Sequence, residues 1–173
     1  MAITKIIKDK TKAFIDKYAD TFAVSPIELR DIIKAEGIDI LEQTLPDDLS
    51  GLLIIKGESK LIGVNFDNKP VRKRFTLAHE LGHFVLHKDE SSIFKDNQLF
   101  KRQSEGYSSR EERMEQEANY FAASILMPEI LVRREVESLH KDLHDEENLM
   151  ELADRFQVSL PAMTFRLINL GLI

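Results

Sequence analysis

The chain has 173 residues, 43% of them apolar, and no cysteine. That length supports one domain with a sizeable core, and the lack of cysteine excludes a disulfide framework and a thiolate metal site, in keeping with a reducing cytosol. The formal net charge of −6 argues against nonspecific nucleic-acid binding, which rests on phosphate neutralisation, and weakly favours a basic protein partner.

In chain order, Met1 to Lys12 is charged and lacks the apolar run of a signal peptide. No segment approaches the ~18 apolar residues of a membrane span, so the expected location is cytoplasmic. Residues 4–19 carry helical periodicity, with Ile7, Phe14, Ile15 and Tyr18 as expected core contacts. Ser25-Pro26-Ile27-Glu28 reads as a capping box with proline at the first helical position, opening a helix over 26–36 that Gly37 closes. Pro46-Asp47-Asp48 marks a turn, and 52–56 and 61–66 read as two strands reversing at Gly57-Glu58. This hairpin is the expected sheet edge for pairing with an extended substrate. A helix over roughly 71–88 follows, its start marked by four basic residues between Lys69 and Arg74, which read as a solvated helix start or a docking patch. Residues 89–108 are polar and irregular, with a short strand at Ser92-Ile93-Phe94, and are placed at the rim of a cleft.

The helix over 71–88 contains His79-Glu80-Leu81-Gly82-His83. Residues four apart on a helix share a face, with Cβ atoms about 5–6 Å apart, so His79 and His83 can bind one zinc ion at about 2.0–2.1 Å. Glu80, a quarter turn away, is positioned to take the proton of a water at the metal. Gly82 costs about 1 kcal/mol relative to alanine inside a helix, which implies close approach of another backbone or a ligand. Catalytic zinc needs a third protein ligand. His87 is excluded, because 79, 83 and 87 span about 12 Å of helix at 1.5 Å per residue, and residue 89, where another zincin pattern would place histidine, is Asp89.

The third ligand is expected on the next helix, which opens at the capping box Ser109-Arg110-Glu111-Glu112 and ends at Pro128. Glu111 and Glu112 suit the first-turn dipole. Glu115 is favoured, because its face continues through the small residues Ala118 and Ala122 and through Asn119, which could accept the remaining N–H of a ligand imidazole; Glu117 is the alternative. Helices near 128–140, 146–156 and 159–169 complete the chain. The last two have a helix-turn-helix rhythm, but residues 128–173 hold five Lys/Arg against nine Asp/Glu, an unusual balance for a DNA reader. His140 and His144 read as a solvated face, not a second metal site.

The run Arg74-Phe75-Thr76-Leu77-Ala78-His79-Glu80-Leu81-Gly82-His83, with Leu86-His87, Glu115 to Ala123 and Leu126-Met127-Pro128, resembles the ImmA/IrrE family of metallopeptidases. The resemblance implies an α+β, zincin-like (gluzincin) fold: a small antiparallel sheet, the His79–His83 helix, a second ligand-bearing helix and a helical C-terminal cap. It implies one metallopeptidase domain over 1–173, with the N-terminal helices, hairpin and metal core in 1–127 and the helical subdomain in 128–173. It also implies metal ligands His79, His83 and Glu115, Glu80 as general base, zinc (or manganese) as the ion, and cleavage of a helix-turn-helix transcriptional repressor, with no direct nucleic-acid or membrane partner. The oxyanion needs a second donor, for which Tyr107, Tyr120 and His87 are candidates. The rival readings are a non-catalytic partner-binding module of a mobile element or toxin–antitoxin locus, and a DNA-binding regulator.

Overall fold

The computed structural model describes residues 3–97, 109–139, 142–143 and 145–173. Helix α1 (Lys5–Lys17) is capped by Thr4, whose hydroxyl accepts from the Ile7 amide. It buries Ile7 and Phe14 as expected, and Ile15 and Tyr18 pack at the margin of the same cluster. Helix α2 (Leu29–Ala35) starts three residues later than the capping-box reading places it, and Glu28, not Ser25, occupies the cap position. Tertiary contact overrides the local signal: Ile27 is buried and its carbonyl accepts from the Arg74 guanidinium. Gly37 ends the helix at φ +69°, a left-handed conformation that glycine adopts at little cost.

Four strands form one sheet in the order β1-β3-β2-β4, where β1 is Asp39–Gln43, β2 Leu49–Lys56, β3 Ser59–Asn65 and β4 Ile93–Asn97. Strands β2 and β3 are the expected hairpin, with Gly57 at φ +60° in its turn. The sheet corrects the sequence expectation in two respects. It is mixed, not purely antiparallel, because β1 runs parallel to β3. The hairpin is also not an edge: β1 flanks β3 and β4 flanks β2. Strand β1 escapes sequence reading because Asp39-Ile40-Leu41-Glu42-Gln43 is a short run whose burial alternates weakly.

Helix α3 (Pro70–His87) packs on β2 and β3, and α4 (Ser109–Leu126) packs on α3. A Cβ on Gly82 would lie 3.2 Å from both the Cα and the carbonyl oxygen of Ala118 and 3.1 Å from the Phe121 ring. The small residue is therefore required by close approach of the α4 backbone. Phe14 meets Phe121 edge-on, with ring centroids 5.2 Å apart, which joins α1 to the same core.

Helices α5 (Glu129–Leu139), α6 (Glu146–Phe156) and α7 (Leu160–Asn169) follow. Asp145 and Ser159 cap α6 and α7, and Leu152, Phe156, Met163 and Leu167 join the core. The single cation of α7, Arg166, donates to the Met127 carbonyl at 2.9 Å, while Phe165 and Ile168 are exposed. That is the reverse of a DNA-reading helix, which presents cations outward. The basic start of α3 is likewise not a free patch: Arg72, Lys73 and Arg74 reach Asp96, Glu42 and the Ile27 carbonyl. Among the described residues no helix is long and apolar enough to cross a membrane. His140, His144 and residues 98–108 lie outside the described residues.

Candidate metal centre

Helical spacing puts His79 and His83 one turn apart on the face of α3 that meets α4. Both are buried, with the Nε2 atoms 3.0 Å apart. From α4, Glu115 directs one carboxylate oxygen to within 3.1 Å of His83 Nε2 and the other to within 3.3 Å of His79 Nε2. A tetrahedral zinc ion with bonds of 2.0–2.1 Å sets its ligand atoms about 3.3 Å apart, so these three donors have the spacing of three corners of such a site. Among the described residues this is the one cluster of three His, Asp or Glu side chains arranged to hold a metal ion.

Two of the three donors, His83 and Glu115, are held toward the states a cation needs. Burial drives the His83 imidazole down to about 4, against the opposing pull of Glu115, leaving it neutral with a free lone pair at ordinary pH. Burial would raise the Glu115 carboxyl, but interaction with the His79 and His83 rings overrides this and holds it well below the usual carboxylate range. His79 Nδ1 lies 3.1 Å from Asn119 Oδ1. An amide oxygen can only accept, so Nδ1 carries the proton and Nε2 is left as a ligand atom. His83 Nδ1 is buried and has no hydrogen-bond partner among the described residues. Phe94 of β4 stacks on that ring at 4.7 Å and 19°, so packing orients it.

Glu80 is fully buried and faces the sheet. A Cβ on Gly51 of β2 would come within 3.7 Å of its Oε1, and within 2.3 Å of Thr76 Cγ2 and 2.9 Å of the Gly63 carbonyl. The strand and the helix approach too closely there for any side chain. Glu117 does not join the cluster: it turns toward His87 Nε2 at 3.5 Å and Arg113 at 3.9 Å. Of the three oxyanion candidates, Tyr107 lies outside the described residues, Tyr120 is half-buried on α4, and His87 is buried between Glu90 and Glu117.

Sequence reading missed Phe94 and the pair formed by Arg72 and buried Asp96, 2.9 Å apart. Arg72 also donates to Ser50 Oγ at 2.7 Å. These contacts tie β2, α3 and β4 together, and no local pattern marks them. A 290 Å³ pocket lined by Val71, Arg72, Phe75, Met127, Val158, Ser159 and Ala162 adjoins the centre through Phe75, whose ring is 6.2 Å from that of His79.

The profile of the IrrE N-terminal-like domain, Peptidase_M78, matches residues 33–167, a span that contains every donor above. The chain belongs to the IrrE N-terminal-like family. It is 33% identical over 110 residues to the radiation response metalloprotease IrrE of Deinococcus radiodurans, covering 64% of this chain and 31% of that protein. It is 28% identical over 128 residues to the uncharacterized immunity region protein 2 of Bacillus phage phi105, covering 73% of this chain and 72% of that one. In fold it resembles a Mycobacterium tuberculosis transcriptional regulator with a TM-score of 0.61 at 20% identity, covering 95% of this chain and 47% of that chain. This member of the family thus spans about a third of the Deinococcus protein and about half of the Mycobacterium chain.

Proposed function

We propose that the protein is a zinc-dependent endopeptidase of zincin type that cleaves a helix-turn-helix transcriptional repressor. The observation that carries the reading is the convergence of His79, His83 and Glu115 at tetrahedral spacing in a chain of a metallopeptidase family. Zinc held by those residues would supply a Lewis acid that polarises the scissile carbonyl and acidifies water toward a pKa near 7; manganese suits the same donors less well. Glu80 accepts the proton from the attacking water and returns it to the leaving amine. The burial of Glu80 keeps bulk water from competing for that proton.

Of the two edge strands, β1 and β4, the one beside the centre is β4. Its Phe94 contacts a ligand imidazole directly, so a chain paired there by β-augmentation passes the centre. The pocket beside Phe75 suits an apolar side chain of that substrate. The phage immunity-region relative supports a repressor as the substrate class. The acidic balance and the inward-turned Arg166 tell against direct DNA binding. A cytoplasmic site, where such a repressor works, belongs to the same reading, as does a single domain over 1–173 that holds the whole centre.

The test mixes the zinc-loaded protein with the repressor encoded nearest its gene and resolves products by mass spectrometry. The expected result is one cut, lost by a factor of about 10²–10⁴ in Glu80→Gln while zinc stays bound. Zinc bound and partner held without any cut in the wild type would establish the non-catalytic module instead.

A further inference from the structure

His87 lies one helical turn beyond His83, is 1% exposed, and has no role in the chemistry above. Its two ring nitrogens face two carboxylates. Nδ1 is 3.3 Å from Glu90 Oε1, just past the end of α3, and Nε2 is 3.5 Å from Glu117 Oε2 on α4. Arg113 closes a circuit by reaching both acids, Glu90 at 3.7 Å and Glu117 at 3.9 Å. Arg110 clamps Glu90 with two bonds of 2.8 and 3.0 Å. The grip on α4 therefore falls at Arg113 and Glu117, either side of Glu115.

That placement bears on the metal centre. Glu115 reaches its two histidines from a helix whose rise is 1.5 Å per residue, so a slip of α4 by a fraction of one residue along α3 would pull a carboxylate oxygen out of ligand range. Gly82 lets the two helices come close but, having no side chain, does not resist sliding. The His87–Glu90–Arg113–Glu117 circuit is polar and is anchored on a buried ring, which lets it set the register that apolar packing leaves loose.

We infer that His87 is a positioning residue for Glu115, fixing the α3–α4 register that brings the carboxylate to the two imidazoles. The inference rests on the reading of His79, His83 and Glu115 as metal ligands. It goes beyond that reading by assigning a function to a histidine that binds no metal.

The experiment measures zinc affinity by competition with a chromophoric chelator, and the visible spectrum of the cobalt-substituted protein, in His87→Leu, His87→Gln and Glu117→Gln. Melting of each metal-free variant accompanies them. The expected result is a zinc affinity lowered about 10–100-fold in His87→Leu, an altered cobalt spectrum, and partial rescue in His87→Gln, whose amide can still donate to a carboxylate. If His87 only fills space, leucine does at least as well as glutamine, and that order overturns the inference. Zinc affinity within twofold of wild type in both His87→Leu and Glu117→Gln, with unchanged cobalt spectra, overturns it too. Should His87→Leu fail to fold, Glu117→Gln, which keeps the side-chain shape, decides the matter alone. A wild-type protein that takes up neither metal would overturn the metal-centre reading and this inference together.

Discussion

The amide oxygen of Asn119 accepts from His79 Nδ1 and so selects the tautomer that leaves Nε2 free. Replacing Asn119 with alanine removes that selection and leaves a buried N–H without a partner. The expected loss is about tenfold in zinc affinity, with the metal-free melting temperature changed by only a few degrees. Isothermal titration with zinc checks this, and an unchanged affinity would mean that packing alone orients the ring, as Phe94 does for His83. The residue scale was also the most legible in sequence. His79, Glu80 and His83 stand out by spacing alone, and Asn119 follows from Glu115 by one helical turn. The small residues on its face favour Glu115 over Glu117, but both acids lie on one helix, so periodicity alone leaves the choice open.

Between elements, the closest contact is Gly82 of α3 against Ala118 of α4. A methyl group at 82 would sit 3.2 Å from backbone atoms that cannot rotate away, so α4 has to retreat. Gly82→Ala should destabilise the protein by about 1–3 kcal/mol, the usual cost of overpacking, although alanine is the better helix former by about 1 kcal/mol. It should also weaken zinc binding, since Glu115 rides on the retreating helix. Urea denaturation of the metal-free variant together with a zinc titration tests both halves. A stabilised variant with wild-type affinity would show that the α3–α4 separation is not limiting. Gly82 was legible as a place of close approach, but its partner was not, because Ala118 lies on a different helix, beyond the reach of any local pattern.

For the whole molecule, metal and pH act on the same buried cluster. Zinc that binds only the folded chain stabilises it by about 2.7 kcal/mol at a free concentration one hundred times its Kd. The melting temperature should therefore rise by about 5–10 °C for a chain of this size, and a chelator should reverse the rise. Glu115→Gln should abolish most of it. Without metal, the unfolded chain protonates His83 below its ordinary value of 6.5, while the folded chain resists until about 4. Protons therefore favour unfolding across that window, and stability falls as pH drops through it, by about 3 kcal/mol at full extent. Glu115, held low when folded, adds a further loss below pH 4.5. Denaturant midpoints of the metal-free protein at pH 7, 5.5 and 4.5 measure this; a flat profile would mean that water reaches the cluster.

Features that depend on neighbours along the chain are legible in the residues alone: the helix carrying His79 and His83 on one face, the reversal at Gly57, the need for a small residue at Gly82, and the three late helices. Each rests on periodicity or turn chemistry, which act within one or two turns. The remaining features arise from contacts between segments distant in the chain. The crossing of α4 over α3 sent Glu115 to the imidazoles and Glu117 to His87, although the two acids are neighbours in sequence. Sheet pairing made the hairpin internal, added β1 in parallel and left β1 and β4 as the edges. Ile27, buried and bonded to Arg74, overrode the cap signal at Ser25. In each case the outcome depends on which distant backbone arrives at the site, and local propensity carries no record of that.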